Sequence, residues 1–152
     1  MFIDKEALVR FYSGLSEEVL RWALPPYDRA RVERFFADPN HLVGLVAQSE
    51  SEVVGHLHIF VYPSRMNHLG ELIIYLRQDY TNVGLGTEMV RTALSLAREK
   101  SLHRVQLSVI EGNRGAIRVY EKAGFKTEGM RKDAYKGADG RYYDSVEMAV
   151  IL

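Results

Sequence analysis

Cysteine is absent from the 152 residues. Its absence excludes disulfides, thiolate metal centres and a cysteine nucleophile, and it fits a reducing compartment. A surplus of charge is lacking too. Lys plus Arg number 20 and Asp plus Glu number 20, for a formal net charge of +0, so the chain has no broad positive field for non-specific nucleic-acid binding. No apolar run approaches the roughly 20 residues that span a bilayer. The opening Met1–Ile3 is followed at once by Asp4, Lys5 and Glu6, which is unlike a secretory signal. Repeats with a period of about 20–50 residues, low-complexity tracts and Pro/Gly/Ser linkers are also missing. With 47% hydrophobic and 26% charged residues, the chain reads as one globular domain over residues 1–152, cytoplasmic, with neither membrane nor nucleic acid among its partners.

The first third is helical in period. Asp4 caps a helix carrying Ala7, Leu8, Phe11 and Tyr12, and Gly14 ends it. Ser16 opens a second helix running to Trp22, broken by Pro25-Pro26, and Asp28 opens a third with Val32, Phe35 and Phe36. The period then changes to that of strands: 42–47 and 53–62 around a polar turn, then 69–76. Residues 84–100 form the clearest helix, with Leu85, Met89, Ala93 and Ala97 four apart and Val90 and Leu94 widening the stripe. A strand over 104–109, a helix over 113–123 closed by Gly124, and strands over 125–135 and 142–151 about the Asp139-Gly140 turn complete the chain. Two strands joined by a helix run parallel, with a right-handed crossover. The fold class is therefore α/β (α+β), a mixed, mostly antiparallel sheet with a central parallel strand pair and helices on both faces.

The stretch from Gln78 to Thr87 is the most informative. A strand ends, Gly84 and Gly86 follow, and a long helix begins. The first turn of a helix has unpaired N–H groups and a partial positive charge, and glycine allows a ligand to approach closely. Such a junction suits a phosphate or diphosphate; it also suits a tight turn with no ligand. No Gly-Lys-Ser/Thr follows, which excludes a Walker loop, and a Rossmann loop would need a third glycine.

About 30 residues on stands a second motif, Asn113-x-x-Ala116-x-x-x-Tyr120, closed by Gly124-Phe125. Together with Thr81-x-x-Gly84-x-Gly86, it makes the chain from about Val43 to Leu152 resemble the GNAT superfamily of N-acetyltransferases. The pattern is closest to the alanine-type and polyamine-type members. Two features depart from the family pattern. Thr81 stands where Gln or Arg is usual, and only Met1–Ile3 are left for the customary first strand.

The resemblance implies acetyl-CoA as co-substrate and direct transfer of its acetyl group to a primary amine in a ternary complex. Ile74, Tyr75 and Leu76 would run beside the pantetheine arm, with the Leu76 amide as a donor to the thioester carbonyl. The amides of Asn82, Val83, Gly84, Leu85, Gly86 and Thr87 would hold the diphosphate. Asn113 would bond the cofactor arm, or serve as a plain helix cap. Tyr120 would donate a proton to the leaving sulfur; its plainer role is an aromatic on an amphipathic helix. The glutamate that alanine-type members carry five residues before the motif asparagine is Ser108 here, so Glu71 becomes the leading base and Glu111 a weaker one.

His56 and His58 alternate on one strand face but lack a carboxylate at ligand spacing, so ordinary strand histidines are expected and no metal. His41, His68 and His103 read as surface or loop residues. The tail residues Arg131, Asp133, Tyr135, Tyr142, Tyr143 and Asp144 either line the amine pocket or form the polar face of a hairpin. The acceptor is a small-molecule amine or a protein or peptide amine, and a homodimer is compatible with the reading. A non-catalytic acyl-CoA-binding module is the alternative, and a general nucleotide-binding protein a third.

Overall fold

The computed structural model describes residues 4–152; the expectation about Met1–Ile3 lies outside them. Among the described residues are α1 (Lys5–Ser13), α2 (Glu17–Leu20), α3 (Arg29–Ala37), β1 (His41–Ser49), β2 (Glu52–Val61), β3 (Leu69–Leu76), α4 (Leu85–Glu99), β4 (Arg104–Ile110), α5 (Arg114–Lys122), β5 (Lys126–Lys136) and β6 (Tyr142–Ile151). The second helix is shorter than its sequence suggests, ending at Leu20 with Trp22 in the following turn. Single 3₁₀ turns at Ser64–Met66 and Gln78–Tyr80 fill the loops on either side of β3.

The strands form one sheet in the order β1-β2-β3-β4-β6-β5. As expected, β3 and β4 are parallel and β1–β2 and β5–β6 are antiparallel hairpins. β6 returns between β4 and β5 and pairs antiparallel with β4 from Arg104↔Ile151 to Ile110↔Ser145. Helices cover both faces. Met89, Val90, Ala93, Leu94 and Ala97 of α4 bury their stripe on Leu57, Ile59, Leu72, Val105 and Leu107. Each fully buried Leu, Val or Met of that stripe contributes about 1.5–3 kcal/mol. On the other face Leu8, Phe11 and Tyr12 of α1 and Val32 of α3 cluster with Tyr27 and Val53.

β2 is buried on both faces, with Leu57 and Ile59 under α4 and His56 and His58 under the N-terminal helices. Gly70 allows the close approach at the sheet centre, since a Cβ there would lie 2.5 Å from Ile59 Cγ2. The feature that positions the site is the limited pairing of β3 with β4. Their register runs only from Leu69↔Arg104 to Glu71↔Gln106. Beyond it β3 stays with β2 up to Gly55↔Leu76, while β4 stays with β6, and the sheet forks.

Candidate active site

The fork opens into a cleft of about 950 Å³. β3 supplies one wall, with Glu71, Ile74, Tyr75 and Leu76; β4 supplies Ser108, Val109 and Ile110 on the other. The Arg77 N–H donates to the Val54 carbonyl across the β2–β3 ladder at 2.9 Å. Successive amides along a strand point to opposite edges, so the N–H groups of Leu76 and Ile74 point towards the β4 side, where pairing has ended.

At one end the cleft meets the start of α4. Four of the five α-helices among the described residues have a side-chain N-cap: Asp4 on Glu6 N, Ser16 on Val19 N, Asp28 on Arg31 N and Asn113 on Ala116 N. α4, the longest, has none; Gly84 stands there in the left-handed region at φ 87°, with no side-chain hydrogen bond to the first turn. A Cβ at Gly84 would find nothing within 4 Å. Amides without a capping oxygen, at the positive end of a 15-residue helix, can hold an anion. Asn82, Gly84, Gly86 and Thr87 line this end. Val83 is 67% exposed and Leu85 packs into the core, so the side chains of those two expected contacts lie outside the cleft and only their backbone belongs to the junction. The Thr81 hydroxyl donates to the Gln78 carbonyl at 2.7 Å.

A phenol and a carboxylate also line the cleft. Tyr120 of α5 is buried and lines the cleft. Among the described residues its hydroxyl makes no hydrogen bond, and burial pushes its ionisation well above that of an ordinary tyrosine, so it stays a protonated donor at neutral pH. Glu71 sits in the last β3–β4 pair. Its Oε2 accepts from Gln106 Nε2 at 3.0 Å and from the Tyr62 hydroxyl at 3.2 Å. Burial raises its pKa, against the lowering effect of those two hydrogen bonds. Asn113 lines the cleft and caps α5, its Oδ1 accepting from Ala116 N at 3.4 Å. Glu111 is exposed and outside the cleft, its amide donating to the Asp144 carbonyl.

Several groups here have no signal in a linear motif. Ser108 donates to Glu147 Oε2 at 2.7 Å, and Arg131 donates to the same oxygen at 3.0 Å. Burial works to raise the Glu147 pKa, but hydrogen bonds from Ser145, Ser108 and Arg131 bring it below the usual range. Of the tail residues, Arg131 and Tyr135 line the cleft. The others belong to the hairpin: Tyr143 donates to Asp139 at 2.5 Å, Asp144 accepts from Asp133 N at 2.9 Å, and Tyr142 is 61% exposed. A third wall comes from the α2–α3 connection, where Trp22 lies over Gly112. It is pinned by Tyr27, whose hydroxyl accepts from Leu24 N at 3.2 Å and donates to the Tyr75 hydroxyl at 2.5 Å.

His56 and His58 are buried against Tyr12 and Phe35, but His41 is misplaced by the sequence reading. It opens β1 and meets His58 edge-on at 6.0 Å between ring centroids, because the β1–β2 hairpin brings it over the buried strand. Among the described residues no group of three His, Cys, Asp or Glu side chains is disposed to hold a metal ion. No helix there is long and apolar enough to cross a membrane.

Uncapped helix amides, a phenol and a carboxylate lining one cleft suit a transferase, working between a phosphate-bearing donor and a smaller acceptor. The acetyltransferase (GNAT) family model matches residues 8–125. The L-amino acid N-acetyltransferase AaaT of Escherichia coli (strain K12) is 33% identical over 126 residues, covering 82% of this chain and 76% of that protein. Among solved structures, ribosomal-protein-alanine N-acetyltransferase from Brucella melitensis superposes with a TM-score of 0.85 at 22% identity, over 100% of this chain and 98% of that one. The Salmonella typhimurium acetyltransferase yncA, solved with acetyl-CoA, gives a TM-score of 0.83 at 20% identity, over 100% and 92%. The chain belongs to the GNAT acetyltransferase family. It is an N-acetyltransferase whose acetyl donor is acetyl-CoA.

Proposed function

We propose that the chain transfers the acetyl group directly to the primary amine of a small acceptor, with no covalent enzyme intermediate. The observation that carries this reading is one cleft, opened by the early end of β3–β4 pairing, that joins an uncapped helix start to Tyr120 and Glu71. The amides of residues 82–87 seat the diphosphate, and those of Ile74 and Leu76 face the pantetheine and thioester. Glu71, as a carboxylate, takes the proton of the acceptor amine. The amine nitrogen then bonds to the thioester carbon, with the developing oxyanion on the Leu76 amide. As the carbon–sulfur bond breaks, the Tyr120 phenol gives its proton to the thiolate, and the second proton of the acylated nitrogen passes to the Tyr120 phenolate, leaving a neutral amide and coenzyme A thiol while Glu71 returns its proton to solvent. The absence of cysteine removes one covalent route.

Arg131, which lines the cleft and is held by Glu147, favours an amine that also carries a carboxylate. The E. coli relative is named for L-amino acids, which agrees. The test is coenzyme A release over a panel of amino acids, their decarboxylated amines and short peptides, with the Tyr120→Phe variant alongside. Amino acids are expected to be the preferred acceptors. The variant should lose about tenfold or more in kcat while acetyl-CoA affinity stays within about twofold, because the hydroxyl acts on the leaving group. Unchanged turnover in that variant would remove Tyr120 as the acid. Tight acetyl-CoA binding without release for any amine would make the chain an acyl-CoA-binding module.

A further inference from the structure

The junction that receives the diphosphate carries no cation of its own. From Gln78 to Val90 the charged residues are Asp79 and Glu88, both acidic, and Thr81 turns its hydroxyl onto its own turn. Two phosphate charges would rest there on backbone dipoles alone. Across the cleft, α5 presents Arg114, Arg118 and Lys122, all exposed and all lining the cavity. Four-residue spacing puts them on one stripe, about 6 Å apart and about 12 Å from first to last. Among the described residues none of the three side chains makes a hydrogen bond or ion pair, not even with Glu121, the one acid of α5. Like charges at this spacing destabilise a helix, and an anion lying along the stripe would reverse that.

The stripe is also in the right place. A Cβ built on Gly115 would lie 3.9 Å from Asn82 Oδ1, and one on Gly86 would lie 3.6 Å from the Val119 methyls. Further on, Arg91 of α4 reaches the Lys122 carbonyl at 3.4 Å. The first two turns of α5 are therefore level with the start of α4, and Arg114 and Arg118 flank it.

We propose that α5 supplies the cations the loop lacks, with Arg114 and Arg118 contacting phosphate oxygens of coenzyme A and Lys122 extending the same field outward. This makes α5 a determinant of donor recognition in addition to its role as the carrier of Tyr120, and it rests on the reading that the β3–α4 junction seats the diphosphate. The experiment is calorimetric titration of acetyl-CoA and its 3′-dephospho form between roughly 50 and 300 mM salt. The proteins are the wild type, the Arg114→Gln/Arg118→Gln double variant, Lys122→Gln, and Arg98→Gln as an exposed cation outside the cleft. The double variant is expected to bind acetyl-CoA about 10- to 100-fold more weakly and to flatten the dependence of log Kd on log salt. Arg98→Gln should match the wild type, and unchanged melting curves would place the loss in binding, not folding. Equal loss for both ligands assigns the arginines to the diphosphate. Loss confined to acetyl-CoA assigns them to the 3′-phosphate. Native affinity and native salt slope in the double variant would overturn the proposal. Gly84→Arg, measured beside it, tests the underlying seat: if that variant binds normally, it is the junction reading that has failed.

Discussion

Glu71 has two neighbours that hold one of its oxygens and leave the other to the cleft. Gln106 and Tyr62 both donate to Oε2, and both favour the ionised form against the effect of burial. As a base, Glu71 works only when deprotonated. Because its pKa is raised, activity should fall on the acid side at a higher pH than an ordinary glutamate would give. Replacing Gln106 by Leu removes a hydrogen bond that lowers that pKa, so the acidic limb of the kcat/KM profile should move to still higher pH. Glu71→Gln should abolish the limb and lower kcat by about 100-fold. Profiles of the two variants with coincident acidic limbs would take the base role away from Glu71.

At the scale of the element, α4 gives up its side-chain cap. A capping Ser, Thr, Asp or Asn stabilises a helix by about 1 kcal/mol, and α1, α2, α3 and α5 all use one. α4 offsets the loss with a long apolar stripe buried against the sheet. Gly84→Arg introduces a side chain at φ 87°, strained there, and puts its bulk where the anion would rest. Calorimetry should find acetyl-CoA binding lost, at least 100-fold in Kd by the scale of a displaced diphosphate contact, while far-UV dichroism stays native because the stripe is untouched. Native affinity would show that the diphosphate lies elsewhere.

For the whole molecule, the buried histidines couple stability to pH. His56 shares a 2.7 Å hydrogen bond with the Tyr12 hydroxyl, and both ring nitrogens of His58 are buried without a partner. The groups around them are Tyr12 from α1, Phe35 from α3, His41 from β1 and Phe60 from β2. Burial lowers the pKa of His56 from 6.5 to about 3 and of His58 to about 2. Folded, both remain neutral; unfolded, both take protons below about 6.5. Stability is therefore fully present above pH 6.5 and drains away as pH falls from there towards 3, by up to about 1.4 kcal/mol per pH unit for each histidine. His58→Leu removes one of these proton acceptors and its unpaired nitrogens. Its melting temperature should exceed the wild type's, with a wider margin at pH 5 than at pH 8. A margin independent of pH would contradict the linkage.

Element order, the two hairpins, the parallel pair and the N-cap residues were legible in the sequence because each follows from neighbours a few residues apart: the 3.6- and 2-residue periods, Asp4, Ser16, Asp28 and Asn113 before helices, Asp139-Gly140 in a turn. The glycine junction and the Asn113–Tyr120 motif also have fixed local spacing, but the roles proposed for them came from the resemblance of the two motifs to the GNAT pattern, since spacing alone also suits a ligand-free turn and an ordinary amphipathic helix. What joins residues far apart was decided by the tertiary structure. The sequence could not say that β6 returns between β4 and β5 and brings Glu147 beside Ser108 and Arg131. Nor could it show that Tyr27 fastens the α2–α3 connection to Tyr75, or that His41 lies over His58. Above all, the cleft exists because β3 and β4 part after Glu71 and Gln106, each keeping its other neighbour, and where two strands stop pairing is set by the whole sheet.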